Sequence, residues 1–270
     1  MSTALRVALL GATGRMGGSL LRCLPEFEGL SLVAAVVRAG NPHLGQDAGI
    51  AAGLPACGVR LTSDLPAALA EADVAIDFST VAATAAHLRA CVLAQRALVL
   101  GTTGLTEPLQ AELSRAAERI PLLVAANTSL GVALLAELVQ RAAAALPESF
   151  DIEILEAHHR AKVDAPSGTA LLLGAAAARG RGARPDPQPV VHGPDAPGPR
   201  PPGQLGYASI RGGDVVGEHE VLFLGAGERL RLGHVATDRA VFARGALAAG
   251  EWLATRPPGR YQMRDLFVEK

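Results

Sequence analysis

Hydrophobic residues run along this chain in two different rhythms. In the first half they form short, mainly apolar runs at 5–10, 30–37, 74–78, 97–100 and 121–125, with helical segments at 82–94 and 107–118 between the later ones. Short apolar runs bounded by turn residues predict strands buried on both faces, and their alternation with helices predicts a doubly wound parallel α/β sheet. After residue 129 the rhythm changes. A long helix is expected over 130–146, and Phe150 to Leu155 alternates apolar with polar residues as a half-buried strand does. Further strands are expected at 209–211, 217–224 and 228–234, the last two joined as a hairpin across Gly225, Ala226 and Gly227. A final helix over 239–254 carries Val241, Phe242, Leu247 and Leu253, suited to packing back on the first domain. The segment 179–206 is rich in Gly, Pro and Arg without periodicity and reads as a long surface loop. The expected organisation is therefore a parallel-sheet domain of residues 1–129 and 239–270, interrupted by an α+β domain at 130–238, with a ligand groove between them.

Composition narrows the function classes. The 270 residues are long enough for one large domain or two modest ones, each with its own core. A net charge of −1 points away from a phosphate-tracking nucleic-acid binder and from a basic membrane-surface protein. No apolar run reaches the roughly 18 residues of a membrane span and no signal-peptide layout opens the sequence, so a cytoplasmic location is expected. Cys23, Cys57 and Cys91 are isolated and odd in number, which predicts buried free thiols rather than disulfides or a zinc site. No metal site is expected, because His192, His219 and His234 lack ligand-like spacing and read as structural.

The first strand runs into Gly11, Ala12, Thr13, Gly14, Arg15, Met16, Gly17 and Gly18 before a helix. Strand, glycine turn and helix N-terminus form an arrangement that lets a dinucleotide pyrophosphate sit against backbone amides. The GxxGxxG spacing is looser than the usual fingerprint, and a simple tight turn is its bland alternative. At the end of the second strand the sequence reads Val36, Val37, Arg38, Ala39, Gly40. A carboxylate there suits the ribose 2′-hydroxyl of NAD, whereas an arginine suits the 2′-phosphate of NADP. Three more strand ends carry candidate ligand contacts: Asp77 to Thr80, Gly101 to Gly104 and Ala126 to Ser129. In such a sheet ligands bind beyond the carboxyl ends of the strands, although the same residue types also form ordinary turns.

The densest chemistry follows the strand at 150–155. His158, His159, Arg160 and Lys162 place four nitrogen bases in five positions, followed by Asp164, Ala165, Pro166, Ser167, Gly168 and Thr169. Asp164 or Ser167 can cap a helix, Pro166 suits a first turn, and 169–178 is alanine-rich enough to be helical. Positive charge beside a helix N-terminus fits an anionic ligand such as a small polycarboxylate. A solvated basic turn with an ordinary cap is the structural alternative.

The glycine turn, Gly101 to Gly104, Ala125 to Asn127 and above all Glu156 to Ala170 closely resemble the dihydrodipicolinate reductase family, a match that also takes in Gly217 to His219 and Met263 to Asp265. The resemblance implies a Rossmann nucleotide domain with an inserted substrate and oligomerisation domain, in a homotetramer formed through the inserted sheet. It implies NADPH- or NADH-dependent reduction of 4-hydroxy-tetrahydrodipicolinate, by way of dihydrodipicolinate, to tetrahydrodipicolinate on the diaminopimelate route to lysine. His158 becomes the acid/base residue and Lys162 the proton donor. His159, Gly168 and Thr169 hold substrate carboxylates. The cofactor falls to Gly11, Ala12, Thr13, Gly14, Arg15 and Met16, to Gly101, Thr102 and Thr103, and to Ala125, Ala126, Asn127 and Thr128. Arg38, with Val37 where members using both cofactors have an acid, makes NADPH the preferred one, and Thr128 stands where an aromatic residue is often found. Two other readings stay open on the residues alone: another NADP-dependent oxidoreductase of a small carboxylate, and a dinucleotide-sensing protein without catalysis.

Overall fold

A computed structural model of the chain describes residues 4–183 and 199–267. Most of the proline-rich segment and His192 lie outside the described residues. The chain divides into two compact units, residues 1–129 with 240–270 and residues 130–239.

The first unit opens with β1 (Leu5–Leu10), α1 (Arg15–Cys23), β2 (Leu30–Val36), α2 (Ala48–Ala51), β3 (Leu61–Thr62), α3 (Leu65–Ala70) and β4 (Val74–Asp77). It continues through α4 (Val81–Ala94), β5 (Ala97–Leu100), α5 (Glu107–Ala117) and β6 (Pro121–Val124). The second unit holds α6 (Leu130–Ala145), β7 (Asp151–His158), α7 (Gly168–Gly180), β8 (Leu205–Arg211), β9 (Gly217–Leu224) and β10 (Arg229–Ala236). The chain then returns to the first unit with α8 (Ala240–Leu253) and β11 (Gly259–Tyr261).

Seven strands in the order β11-β6-β5-β4-β1-β2-β3 form one sheet, parallel at every pairing. Helices cover its faces, which is why β4 and β5 are buried from end to end and their sequences run apolar without alternating, apart from the buried Asp77 that closes β4. Leu10, Leu88, Leu98, Leu100, Leu113 and Leu122 form a core on one side. On the other α8 lies against β4 and β5, where Gly250 brings the helix backbone close to Ile76. Of the four apolar residues expected to pack from this helix, Leu247 and Leu253 are fully buried, while Val241 and Phe242 are half-buried. The strand order reverses between β1 and β4, and ligands of open α/β sheets bind at such a switch point. The glycine turn follows β1 there, so close to the end of β4 that a Cβ on Gly11 would stand 3.0 Å from Ser79 Cα.

In the second unit four strands take the order β10-β9-β7-β8, with β7 and β8 parallel and the rest antiparallel. The alternation of β7 sends Ile152 and Ile154 into a core with Leu135, Val139, Leu173 and Phe223 beneath α6 and α7. The opposite face carries Leu155, Ala157, Glu218, Glu220, Ile210 and Val235 around a cavity of about 270 Å³. Ile210 and Val235 are 59% and 62% exposed.

Candidate active site

Toward the end of β7 the core-facing positions turn polar: Ile152 and Ile154 are followed by Glu156 and His158, both buried. Sheet register then assembles the chemistry. Glu156 pairs with Ser209 on β8 and with His219 on β9, and His158 pairs with Arg211. The Arg211 fork donates to both Glu156 oxygens at 2.7 Å, and its Nη2 also reaches the Asp164 carbonyl at 2.6 Å. Glu156 Oε2 lies 2.6 Å from His158 Nδ1, while Oε1 accepts from the Ser167 amide at 3.1 Å. Burial resists ionisation of Glu156, but hydrogen bonds from Arg211, His158 and Ser209 outweigh it and bring the carboxyl down to about 2.

Ser167 caps α7: its Oγ accepts from the Ala170 amide at 3.1 Å and contacts His219 Nε2 at 2.9 Å. The amides of Gly168 and Thr169 therefore belong to the first turn of a helix whose positive dipole end adjoins the basic loop. His219 and His158 meet edge to face with centroids 5.1 Å apart. Burial, followed by the neighbouring His158, lowers His219 to about 4, so its ring is neutral at physiological pH. His159 Nε2 lies 3.2 Å from Arg239 Nη2, and Lys162 Nζ is paired with Asp164.

In the other unit Gly11 takes φ +84°, and a Cβ on Gly17 would collide with the Ala12 carbonyl. The turn packs that closely against α1 only because both positions are glycine. Gly14 begins α1 with no capping side chain. Asn41 Nδ2 donates to Thr13 Oγ1 at 2.9 Å and ties the loop after β2 to the turn. Arg38 projects from that loop exposed, whereas Val37 is buried. Asp47, the first carboxylate beyond β2, is held by the amides of Gly49, Ile50, Cys57 and Gly58. After β5, a Cβ on Gly101 would enter the Phe78 ring, and Thr102 Oγ1 is buried without a hydrogen-bond partner among the described residues.

A description of the dihydrodipicolinate reductase N-terminus matches residues 5–128, and that of the C-terminus matches 131–267. The chain belongs to the dihydrodipicolinate reductase family. It is 51% identical to 4-hydroxy-tetrahydrodipicolinate reductase of Cereibacter sphaeroides strain KD131, across 98% of this chain and 99% of that protein. The protein of the same name from Alkalilimnicola ehrlichii is 50% identical, across 97% and 98%. Among solved structures, dipicolinate-bound dihydrodipicolinate reductase from Paenisporosarcina sp. TG-14 aligns with a TM-score of 0.78 at 26% identity, covering 96% of this chain and 98% of that one. An amine dehydrogenase from Mycobacterium smegmatis shares the fold at 16% identity and a TM-score of 0.65. The chain is accordingly an oxidoreductase of the dihydrodipicolinate reductase family.

The family motif is brought together at one end of β7, but several residues differ from expectation. Ser167 caps α7 and Asp164 does not, because the helix begins at Gly168 and Asp164 lies three residues before the cap, where its carboxylate meets Lys162. Pro166 precedes the cap, joined to Ala165 by a cis peptide bond, and is not part of the first turn. Thr128 is buried and its Oγ1 donates to the Phe242 carbonyl at 2.6 Å, so its hydroxyl serves the start of α8 and only its backbone remains as a candidate cofactor contact. Cys57 is exposed, unlike Cys23 and Cys91. Arg239 falls in the second unit, one residue beyond the expected boundary. His219, expected to be structural, contacts Ser167 and His158, and Glu156, Arg211 and Ser167 join the same network without having been expected there.

Proposed function

We propose that this chain reduces 4-hydroxy-tetrahydrodipicolinate, by way of dihydrodipicolinate, to tetrahydrodipicolinate on the diaminopimelate route to lysine, with NADPH preferred over NADH. The reading rests on one juxtaposition. His158 and the cap of the helix that begins Gly168-Thr169 share the Glu156 carboxylate, in a chain that matches relatives bearing that activity's name over nearly their whole length. NADPH supplies a hydride to the conjugated imine of the ring.

The remaining work falls to side chains and amides of this chain. Gly168 and Thr169 amides with His159 hold the two ring carboxylates, and the positive end of α7 favours their charge. Lys162 and His158 beside the ring nitrogen make the imine more electrophilic and deliver the proton that the reduced ring must gain. The same groups assist departure of water from the hydroxylated precursor. For the cofactor, the uncapped first turn of α1 with Gly11, Ala12, Thr13, Gly14, Arg15 and Met16 suits a pyrophosphate. The orphaned Thr102 hydroxyl, with Gly101 and Thr103, suits a polar group of the nicotinamide half, with Ala125, Ala126 and Asn127 alongside. The exposed Arg38 suits a 2′-phosphate.

The reading extends to a cytoplasmic homotetramer, assembled through the open face of the four-stranded sheet on which Ile210 and Val235 are exposed. The activity is tested by following NADPH absorbance with freshly generated hydroxy-tetrahydrodipicolinate. Turnover is expected, and its absence at saturating cofactor and substrate would remove this reading in favour of another small carboxylate.

A further inference from the structure

We infer that Glu156 is the positioning residue of this active site, fixing the tautomer of His158 so that Nε2 is the atom that exchanges the proton. The inference rests on the assignment of His158 as acid/base residue under the proposed function.

An ionised carboxylate only accepts hydrogen bonds. Glu156 is kept ionised by the two Arg211 donors, so the 2.6 Å contact requires the proton to sit on His158 Nδ1. That leaves the lone pair of a neutral His158 on Nε2, which has no hydrogen-bond partner among the described residues. The surroundings keep this atom accessible: a Cβ on Gly217 would lie 3.1 Å from Nε2. The His219 edge contact restrains the ring from another side. Glu156 does a second thing through its other oxygen. Oε1 receives the Ser167 amide, immediately before the turn assigned to the substrate carboxylate. One buried side chain thus sets the distance between proton carrier and anion cradle, as outer partners of catalytic and metal-bound histidines do elsewhere.

Glu156→Gln separates positioning from packing. Oε1 receives two fixed donors, Arg211 Nη2 and the Ser167 amide, whereas Oε2 receives one, Arg211 Nη1, beside the His158 ring, so the NH2 of Gln takes the Oε2 position toward His158 at the cost of that one Arg211 hydrogen bond. A donor opposite Nδ1 pushes the histidine proton onto Nε2. Two-dimensional proton–nitrogen spectra of the full chain labelled in histidine nitrogen report the tautomer directly. The expected results are Nδ1–H in the wild type, Nε2–H in Glu156→Gln, a kcat loss of about 10² to 10⁴, and nearly unchanged affinity for pyridine-2,6-dicarboxylate. Gly217→Ala, which leaves Glu156 untouched, should retain Nδ1–H yet lose kcat by crowding Nε2. Wild-type His158 protonated on Nε2, or a Glu156→Gln chain with the wild-type tautomer and kcat, overturns the inference. If Glu156→Gln does not fold, the wild-type tautomer and the Gly217→Ala kcat decide. A wild type with the expected tautomer but no turnover refutes the proposed reaction, while the pairing of Glu156 with His158 stands.

Discussion

Lys162 Nζ donates to both carboxylate oxygens of Asp164, at 2.8 and 2.9 Å, two residues further along the same loop. Asp164 is exposed, and its hydrogen bond from Lys162 holds its carboxyl below the usual range. Lys162 is partly buried but its partner stands in solvent, and pairs open to solvent on one side contribute little to stability, so the ammonium can exchange Asp164 for a bound dicarboxylate. Lys162→Ala should therefore cost catalysis rather than folding. We expect kcat to fall by about 10² to 10⁴ with an unchanged thermal midpoint, and a large midpoint drop with normal kcat contradicts the role.

His158→Ala should resemble Lys162→Ala in kcat, whereas His159→Ala and Thr169→Val should chiefly raise the KM for the dicarboxylate. NADPH affinity should stay level in all of them, because none of these residues is assigned to the cofactor. Steady-state kinetics with a fluorescence titration of NADPH checks both halves. Loss of cofactor binding ahead of kcat would make the basic cluster something other than a proton-transfer site.

Arg38 bears on cofactor choice. One charge-assisted hydrogen bond to a phosphate is worth roughly 1.5 to 3 kcal/mol, so Arg38→Ala should lower kcat/KM for NADPH by about ten- to a hundredfold. NADH, which lacks the phosphate, should be spared. Equal losses with both cofactors would show that the arginine reads something else.

The parallel sheet was legible because strands such as β4 and β5, buried on both faces, leave their own apolar signature between helical segments. The two-residue β3 and the three-residue β11 carry too few positions for any rhythm, and they exist because a longer neighbour offers them an edge. The site was half legible for a related reason. His158, His159, Lys162, Gly168 and Thr169 lie in one local motif whose residue types announce an anion. Arg211 and His219 reach it only through the pairing of β7 with β8 and β9. His219 read as structural because it lacks ligand-like spacing to the other histidines, and spacing along the chain cannot show that the register sets Glu156 opposite it.

The open face of the second sheet offers a test of assembly. Replacing both Ile210 and Val235 with Glu puts two charges where apolar side chains stand 59% and 62% exposed, so folding should be spared. Light scattering after gel filtration should show a tetramer for the wild type and smaller species for the double variant. A wild type that is already monomeric removes this surface from the proposal.

Acid should loosen the second unit in two stages. His219, lowered to about 4 by burial and then by His158, has an ordinary value of 6.5 when unfolded. The unfolded chain thus binds more protons between those values, and stability present above pH 6.5 is lost as pH falls toward 4. Glu156, brought to about 2 against an ordinary 4.5, contributes stability that is present above 4.5 and lost as pH falls toward 2. His234, also lowered by burial, adds to the first stage in the same sense. Each such group steepens the curve by at most about 1.4 kcal/mol per pH unit. His219→Gln should therefore flatten the decline between pH 6.5 and 4 without abolishing it, and leave the Glu156 stage below 4.5 in place. Hydrogen exchange of β7 and β9 amides across this range measures both stages. A variant curve parallel to the wild type down to pH 4 would mean that His219 does not resist protonation in the folded chain.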